Sequence, residues 1–303
     1  MKAIIDLGTN TFHLLIAEIR NEQISEVFTM QAPVKIGEGG IGNDTLSNDA
    51  MQRGLTALGQ FKTYLDRFEV QQITALATSA IRNAKNGKEF VDKAKNLHGI
   101  NIETITGDQE ANYIYEGVRH SFKLPEENVL IMDIGGGSVE FIIGNKDNIK
   151  WKKSFDIGAA RLIEKFKHSD PITEEEIANI NQYFDQNLID LKQALNEYPV
   201  TTLVGSAGSF ETLVDVVLND LHTIPIALSK HAFEINLPLF DIFYELMITS
   251  NNEQREKLKG MVNFRLEMII VASVLTRYVI DHFYIRKLIA SNYALKEGVL
   301  FSK

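Results

Sequence analysis

Residues 4–17, IIDLGTNTFHLLIA, and residues 131–144, IMDIGGGSVEFIIG, share one pattern: an apolar run, an Asp, a Gly-rich turn and an apolar exit. Placing Asp6 over Asp133 brings Gly8 onto Gly135, Thr11 onto Ser138 and His13 onto Glu140. This is an internal repeat, and it bears on the architecture before any single residue is read. Apolar and β-branched residues flank each turn, so each copy is expected to be a β-hairpin. A Gly-rich turn between strands lets backbone N–H groups converge without side chains in the way, which makes a nest for an anion. Thr9, Thr11 and Ser138 add hydroxyl donors. The preceding Asp cannot hold phosphate directly, but it can hold a hydrated Mg²⁺ that bridges phosphate oxygens. Two such units facing each other would grip a chain of phosphates from both sides. A single one would read more readily as an ordinary hairpin turn, and it is the duplication that weakens that reading.

The chain has 303 residues, long enough for two domains, and the repeat divides it accordingly. At 45% hydrophobic and 23% charged it has a globular composition. Polar residues interrupt every apolar run short of a membrane span, and Asp6 stops the first run before a signal-peptide core forms, so a cytoplasmic protein with no membrane partner is expected. The absence of cysteine excludes disulfides, thiolate metal sites and a Cys nucleophile. A net charge of −9 argues against a nucleic-acid partner, and a polyanionic ligand would need local basic groups. Lys150, Lys152, Lys153, Arg161, Lys165 and Lys167 supply some, although most such clusters are only solvated faces.

Along the chain, Met51, Leu55, Leu58, Phe61, Leu65 and Phe68 recur at helical spacing, so residues 48–68 are expected to form a helix. QITALAT reads as a strand, GKEFVDKAKNLHG as a helix closed by Gly99, and INIETIT as a strand. TGDQEANYIYEGVRH reads as a helix capped by Thr106, with Gln109 completing a capping box. The second half repeats this grammar: strands VLIMDI, VEFIIG and NIKWKKSF, then a helix from about Ala159. A long acidic helix is expected over ITEEEIANINQYFDQNLIDLKQAL, a strand at TTLVGS, and a helix over SFETLVDVVL. A largely apolar helix over NFRLEMIIVASVLTRYVIDHF, a strand KLIAS and a terminal helix complete the chain. Alternating strands and helices imply an α/β protein of two similar lobes, residues 1–123 and 124–303, with the terminal helix packing back on the first.

DLGTNTFHLLIA and DIGGGSVEFIIG resemble the two phosphate-binding loops of the superfamily that contains actin, sugar kinases and the heat-shock chaperone ATPases. Within it, the chain is similar to the exopolyphosphatase and guanosine pentaphosphate phosphohydrolase family. Further marks of that family follow in order: ATSAIRNAKNG at 77–87, TGDQEANYIYEGV at 106–118, SFDIGAARL at 154–162, VGSAGSFETL at 204–213 and SNYALKEGVL at 291–300. The set spans nearly the whole chain. It implies two actin-like, ribonuclease H-like lobes with a phosphate-binding cleft between them. It also implies Mg²⁺-dependent attack of water on the terminal phosphorus of a phosphoanhydride, with inorganic polyphosphate or guanosine pentaphosphate as substrate.

The resemblance assigns Glu110 as catalytic base, although a carboxylate in a first helical turn also suits the helix dipole. It assigns Asp133 and Glu140 to the metal, and Asp6 joins them as the Asp before the first turn, whereas strand alternation could instead turn Glu140 to solvent. Gly8, Thr9, Asn10, Thr11, Gly135, Gly136, Gly137 and Ser138 are the expected phosphate loops. Arg82 is the expected guanidinium beside the phosphates. Gly205, Ser206 and Gly208 take the place where kinases and actin hold adenosine, or form only a strand-to-helix turn. His13 receives no role. GTNT stands where the family commonly has GSNS, and Gln109 replaces a frequent Glu. Long family members continue past the counterpart of residue 303 into a helical region. Family habit suggests a homodimer; the apolar helix near 266–280 would then bury a face in it, or be core.

Overall fold

Asp6 lies opposite His13 and Asp133 lies opposite Glu140 across their hairpins, so the repeat in the sequence is a repeat of strand register. The structure is a computed structural model and describes residues 1–20 and 23–302. The first half runs β1 (Lys2–Leu7), β2 (Phe12–Arg20), β3 (Gln23–Ala32), α1 (Asn48–Arg67), β4 (Gln72–Ala77), α2 (Ser79–Asn83), α3 (Gly87–His98), β5 (Ile102–Thr104) and α4 (Gly107–Ser121). The second begins with β6 (Val129–Ile134), β7 (Val139–Gly144), β8 (Ile149–Phe155), α5 (Ala159–Phe166), α6 (Glu174–Asn187), α7 (Ile189–Glu197), β9 (Thr202–Ser206) and α8 (Gly208–Asn219). It ends with β10 (Ile226–Ala227), β11 (Ala232–Ile235), α9 (Leu237–Thr249), α10 (Asn252–Glu256), α11 (Met268–His282), β12 (Lys287–Ser291) and α12 (Leu295–Ser302).

The first sheet has the order β3-β2-β1-β4-β5, antiparallel over its first three strands and parallel over β1-β4-β5. In the second, β8-β7-β6-β9-β12 repeats that order and those directions, and β11 and β10 extend it. Two sheets of one topology, each carrying helices, form the two actin-like lobes. Successive strand residues point to opposite faces, and the buried residues divide accordingly. Ile5 and Leu7 join Leu58, Phe61 and Phe90 in the core of the first lobe. Ile4 faces the other way, into a shared core where Ile131, Ile142, Val204 and Ile289 of the second sheet meet Ala111, Ile114 and Val118 of α4 and Val299 of α12. The helices α4 and α12 therefore sit between the sheets. Their backbones touch: a Cβ on Gly117 would stand 2.0 Å from the Ala294 carbonyl oxygen, and one on Gly298 would stand 1.7 Å from that of Tyr113.

Local signals act as expected in α1, α3 and α4. Ser47 Oγ accepts from the Ala50 amide to start α1, and Gly99 ends α3 at φ 68°. Thr106 and Gln109 form the reciprocal capping box of α4. Elsewhere the structure departs from the sequence reading. The expected long acidic helix is two, α6 and α7, because the backbone leaves helical geometry at the buried Leu188 (φ −103°, ψ 21°). The apolar helix expected from residue 263 starts at Met268; a separate 3₁₀ turn, Asn263–Arg265, precedes it, held by the Arg265 side chain. Residues Ile269 to Ile280 of α11 are mostly buried in the core of the second lobe, which settles the alternatives for that helix in favour of core. Among the described residues no helix is long and apolar enough to cross a membrane.

Candidate active site

The two Gly-rich turns face each other across the cleft between the lobes. Each is closed the same way: a Cβ on Gly8 would lie 2.9 Å from the Thr11 carbonyl oxygen, and one on Gly135 would lie 3.0 Å from that of Ser138. A Cβ on Gly137 would stand 2.6 Å from Thr9 Oγ1 of the opposite loop, so glycine is what lets the loops approach. Their carbonyls are drawn outward. The Ala159 and Ala160 amides at the start of α5 donate to Gly135 O and Gly136 O, and Arg161 Nε donates to Gly137 O at 3.0 Å. On the other side the Lys35 and Gly37 amides donate to Asn10 O and Thr9 O. A trans peptide places its N–H opposite its C=O, so the amides of residues 136–138 and of Asn10 and Thr11 point the other way, as a phosphate nest requires.

The four carboxylates singled out from the sequence surround these loops. Glu110, in the first turn of α4, is buried, and its Oε2 accepts from Arg82 Nη1 at 2.7 Å; the same nitrogen donates to Ile105 O at 3.2 Å. Burial and then the Glu140 charge push the Glu110 carboxyl well above the usual range, against the pull of Arg82. Glu140 is only 1% exposed, which removes the solvent-facing alternative, and its Oε1 accepts from Ser154 Oγ at 2.6 Å. Burial and the neighbouring Asp133 raise it to about 7. Asp133 Oδ2 accepts from Ser206 Oγ at 2.5 Å, and burial raises Asp133 to about 6. Asp6 is raised to about 7 by burial, with Lys296 opposing and Asp133 adding to the rise.

Buried carboxylates that raise one another's affinity for protons are equally poised to take a cation. Among the described residues no cluster of three His, Cys, Asp or Glu side chains is spaced to enclose a metal ion. Asp6, Asp133, Glu140 and Glu110 offer only carboxylate oxygens, hard donors of the kind that suit a hydrated ion such as Mg²⁺.

Of the residues singled out from the sequence, Asp6, Gly8, Thr9, Asn10, Thr11, Glu110, Asp133, Gly135, Gly136, Gly137, Ser138 and Gly208 line one cleft of about 140 Å³. Arg82, Glu140 and Ser206 stand behind that surface, each bonded to or opposite one of its carboxylates. Gly205 serves packing: a Cβ there would enter the Phe210 ring at 2.2 Å. Half of the basic cluster is engaged within the fold by hydrogen bonds or ion pairs. Lys152 donates to Asn112 Oδ1 at 2.7 Å, Lys153 pairs with Asp190, and Arg161 donates to Ile41 O of the first lobe at 2.9 Å.

Sequence reading missed three charged groups in the cleft: Glu211, Arg265 and Lys296. Arg265 donates to Gly208 O at 2.5 Å and Thr212 Oγ1 at 3.0 Å and pairs with Glu211 at 3.1 Å. Lys296 opens α12 inside the motif SNYALKEGVL; burial works against its charge, but Glu297, Glu211 and Asp6 outweigh it and raise its pKa. His13 lines the cleft, and burial followed by Lys296 and Arg265 lowers its pKa well below 6.5, so it is neutral there.

Solved structures of the same overall shape include an exopolyphosphatase from Cytophaga hutchinsonii, 38% identical, covering 99% of this chain and 96% of the other with a TM-score of 0.95. The Aquifex aeolicus Ppx/GppA enzyme is 30% identical over 99% of this chain and 98% of its own, with a TM-score of 0.80. Among curated proteins, a bifunctional 3-dehydroquinate synthase/phosphatase of Fusobacterium nucleatum is 32% identical over 93% of this chain, which spans 43% of that longer protein. A putative exopolyphosphatase of Haemophilus influenzae is 28% identical over 99% of this chain and 90% of its own length. Residues 15–303 match the Ppx/GppA phosphatase family over both lobes and the whole carboxylate cluster except Asp6, and the chain belongs to that family.

Proposed function

We propose that this chain is an exopolyphosphatase that hydrolyses the terminal phosphoanhydride of inorganic polyphosphate in a Mg²⁺-dependent reaction. The observation that carries the reading is Glu110, a buried carboxylate fixed by Arg82 beside two facing Gly-rich loops. The loop amides and the hydroxyls of Thr9, Thr11 and Ser138 hold the terminal phosphoryl group. Glu110 orients a water and accepts its proton as the water oxygen bonds to phosphorus; the bond to the bridging oxygen breaks and orthophosphate leaves. Asp133, Glu140 and Asp6 would hold Mg²⁺ or its waters, and the ion when bound offsets the charge of the phosphate oxygens.

Guanosine pentaphosphate is the second reading, favoured by a hollow of about 460 Å³ that shares Thr9, Asn10 and Met268 with the cleft. Phe264, Ile41 and Ile163 offer apolar surface there, while Glu38, Glu164 and Glu267 outnumber Lys35. An aromatic base suits such a wall better than further phosphates do. The test is orthophosphate release from polyphosphates of defined length and from guanosine pentaphosphate, side by side, with and without Mg²⁺. Release from polyphosphate that needs Mg²⁺ supports the first reading. Faster turnover of guanosine pentaphosphate than of any polyphosphate replaces it with the second.

A further inference from the structure

Ser79 is the first residue of α2 and is 1% exposed, yet its Oγ has no hydrogen-bond partner. A buried hydroxyl normally finds one, because an unpaired polar group loses its water without compensation. The neighbouring hydroxyl does: Thr78 Oγ1 donates to Leu7 O at 3.3 Å. Ser79 instead lines the phosphate cleft. Its place in the cleft is narrowly defined, since a Cβ on Gly137 would stand 2.6 Å from both Ser79 Oγ and Thr9 Oγ1. The hydroxyl thus sits at the point where the two nests meet. Three residues further along the same short helix is Arg82, the partner of Glu110. Residues three apart share a helix face, so one face of α2 presents both the orphaned hydroxyl and the guanidinium that fixes the carboxylate.

We propose that Ser79 is a further phosphate-binding residue, whose Oγ–H donates to a non-bridging oxygen of the terminal phosphoryl group held between the two loops. This rests on the proposed phosphohydrolase reading. A hydroxyl kept without an internal partner has no bond to break when the phosphate enters, so it contributes to binding without first giving up an existing contact. A hydrogen bond to a charged oxygen is worth about a factor of 10 to 100. No internal bond is lost when the hydroxyl is removed, so the apo protein should not suffer.

The test is Ser79→Ala, with Ser79→Cys as a near-isosteric variant whose thiol is a weak donor. Three quantities are measured with the full chain: the apo melting temperature, calorimetric binding of tripolyphosphate with Mg²⁺, and kcat/KM for orthophosphate release. The expected result is an apo melting temperature equal to or above wild type, with tripolyphosphate binding and kcat/KM both reduced about 10- to 100-fold. Unchanged binding in a folded Ser79→Ala protein overturns the proposal, and so does a lowered apo melting temperature, which would mark the hydroxyl as structural. Wild-type binding without turnover, still weakened by Ser79→Ala, keeps the phosphate site and removes the hydrolase reading. Absence of tripolyphosphate binding in wild type removes both.

Discussion

As the proposed base, Glu110 would carry two demands that pull against each other: a base must be ionised, yet its burial and the charge of Glu140 favour the proton. Arg82, 2.7 Å away, is the group that keeps the carboxylate available. Glu110→Gln keeps the size and the contact but cannot take the proton of water, so kcat should fall on the order of 10²–10⁴-fold with tripolyphosphate binding nearly intact. Near wild-type turnover would remove Glu110 from the mechanism. For Arg82→Ala the informative quantity is the pH profile. Arg82 lowers the Glu110 pKa, so its removal raises that pKa further and moves the acid limb of kcat/KM to higher pH. A profile that keeps its limb and only loses height would show that Arg82 acts on substrate instead.

At the level of elements, the hairpins, α1 and the capped α4 were legible because their signals are local: strand composition around a glycine turn, apolar spacing and a capping box all act within a few residues. The break at Leu188 was not, because no Gly or Pro marks it in QNLID, and the displaced start of α11 was not, because it depends on distant partners. Arg265 leaves the helical pattern to reach Gly208 O and Glu211, and nothing in NFRLEMII announces that. Lys296 and Glu211 gain their meaning only once α12 and α8 are brought to the same cleft. Arg255 shows how such a long-range tie stabilises the wall of the hollow beside the cleft, which Asn252 and Leu266 line. It is 1% exposed, and its guanidinium serves Leu266 O at 3.1 Å, Ser250 O and Asp170 Oδ1 at 2.6 Å, joining α10 to the segment that enters α11. Arg255→Ala leaves those acceptors without a donor and should cost about 3 kcal/mol in urea unfolding. Arg255→Lys should recover only part, since one ammonium cannot match the guanidinium fork. A loss below about 1 kcal/mol in the Ala variant would show that water replaces the side chain at this site.

For the whole molecule, closing two lobes over their own carboxylates stores a dependence on pH. Asp6 and Glu140 are raised to about 7 and Asp133 to about 6, all above their unfolded values of 3.8, 4.5 and 3.8. A carboxyl with a raised folded pKa contributes stability that is complete below its unfolded pKa and is lost as pH rises through its folded one. His13 has the opposite sense: its folded pKa lies well below 6.5, so its contribution is present above pH 6.5 and lost on acidification. The two effects overlap below pH 6.5. Above it only the carboxylates still titrate, and the metal-free protein should lose stability steadily from pH 6.5 to about pH 8. In the proposed role Mg²⁺ would bind the ionised carboxylates, so its stabilisation, which grows with ligand concentration over Kd, should be larger at the higher pH. The measurement is the melting temperature at both pH values, with and without Mg²⁺, for wild type and Asp133→Asn. Wild type should fall with pH when metal-free and recover with Mg²⁺; Asp133→Asn should fall less and recover less. A flat metal-free profile, or an equal Mg²⁺ effect at both pH values, would mean that these carboxylates are neither the source of the strain nor the seat of the ion.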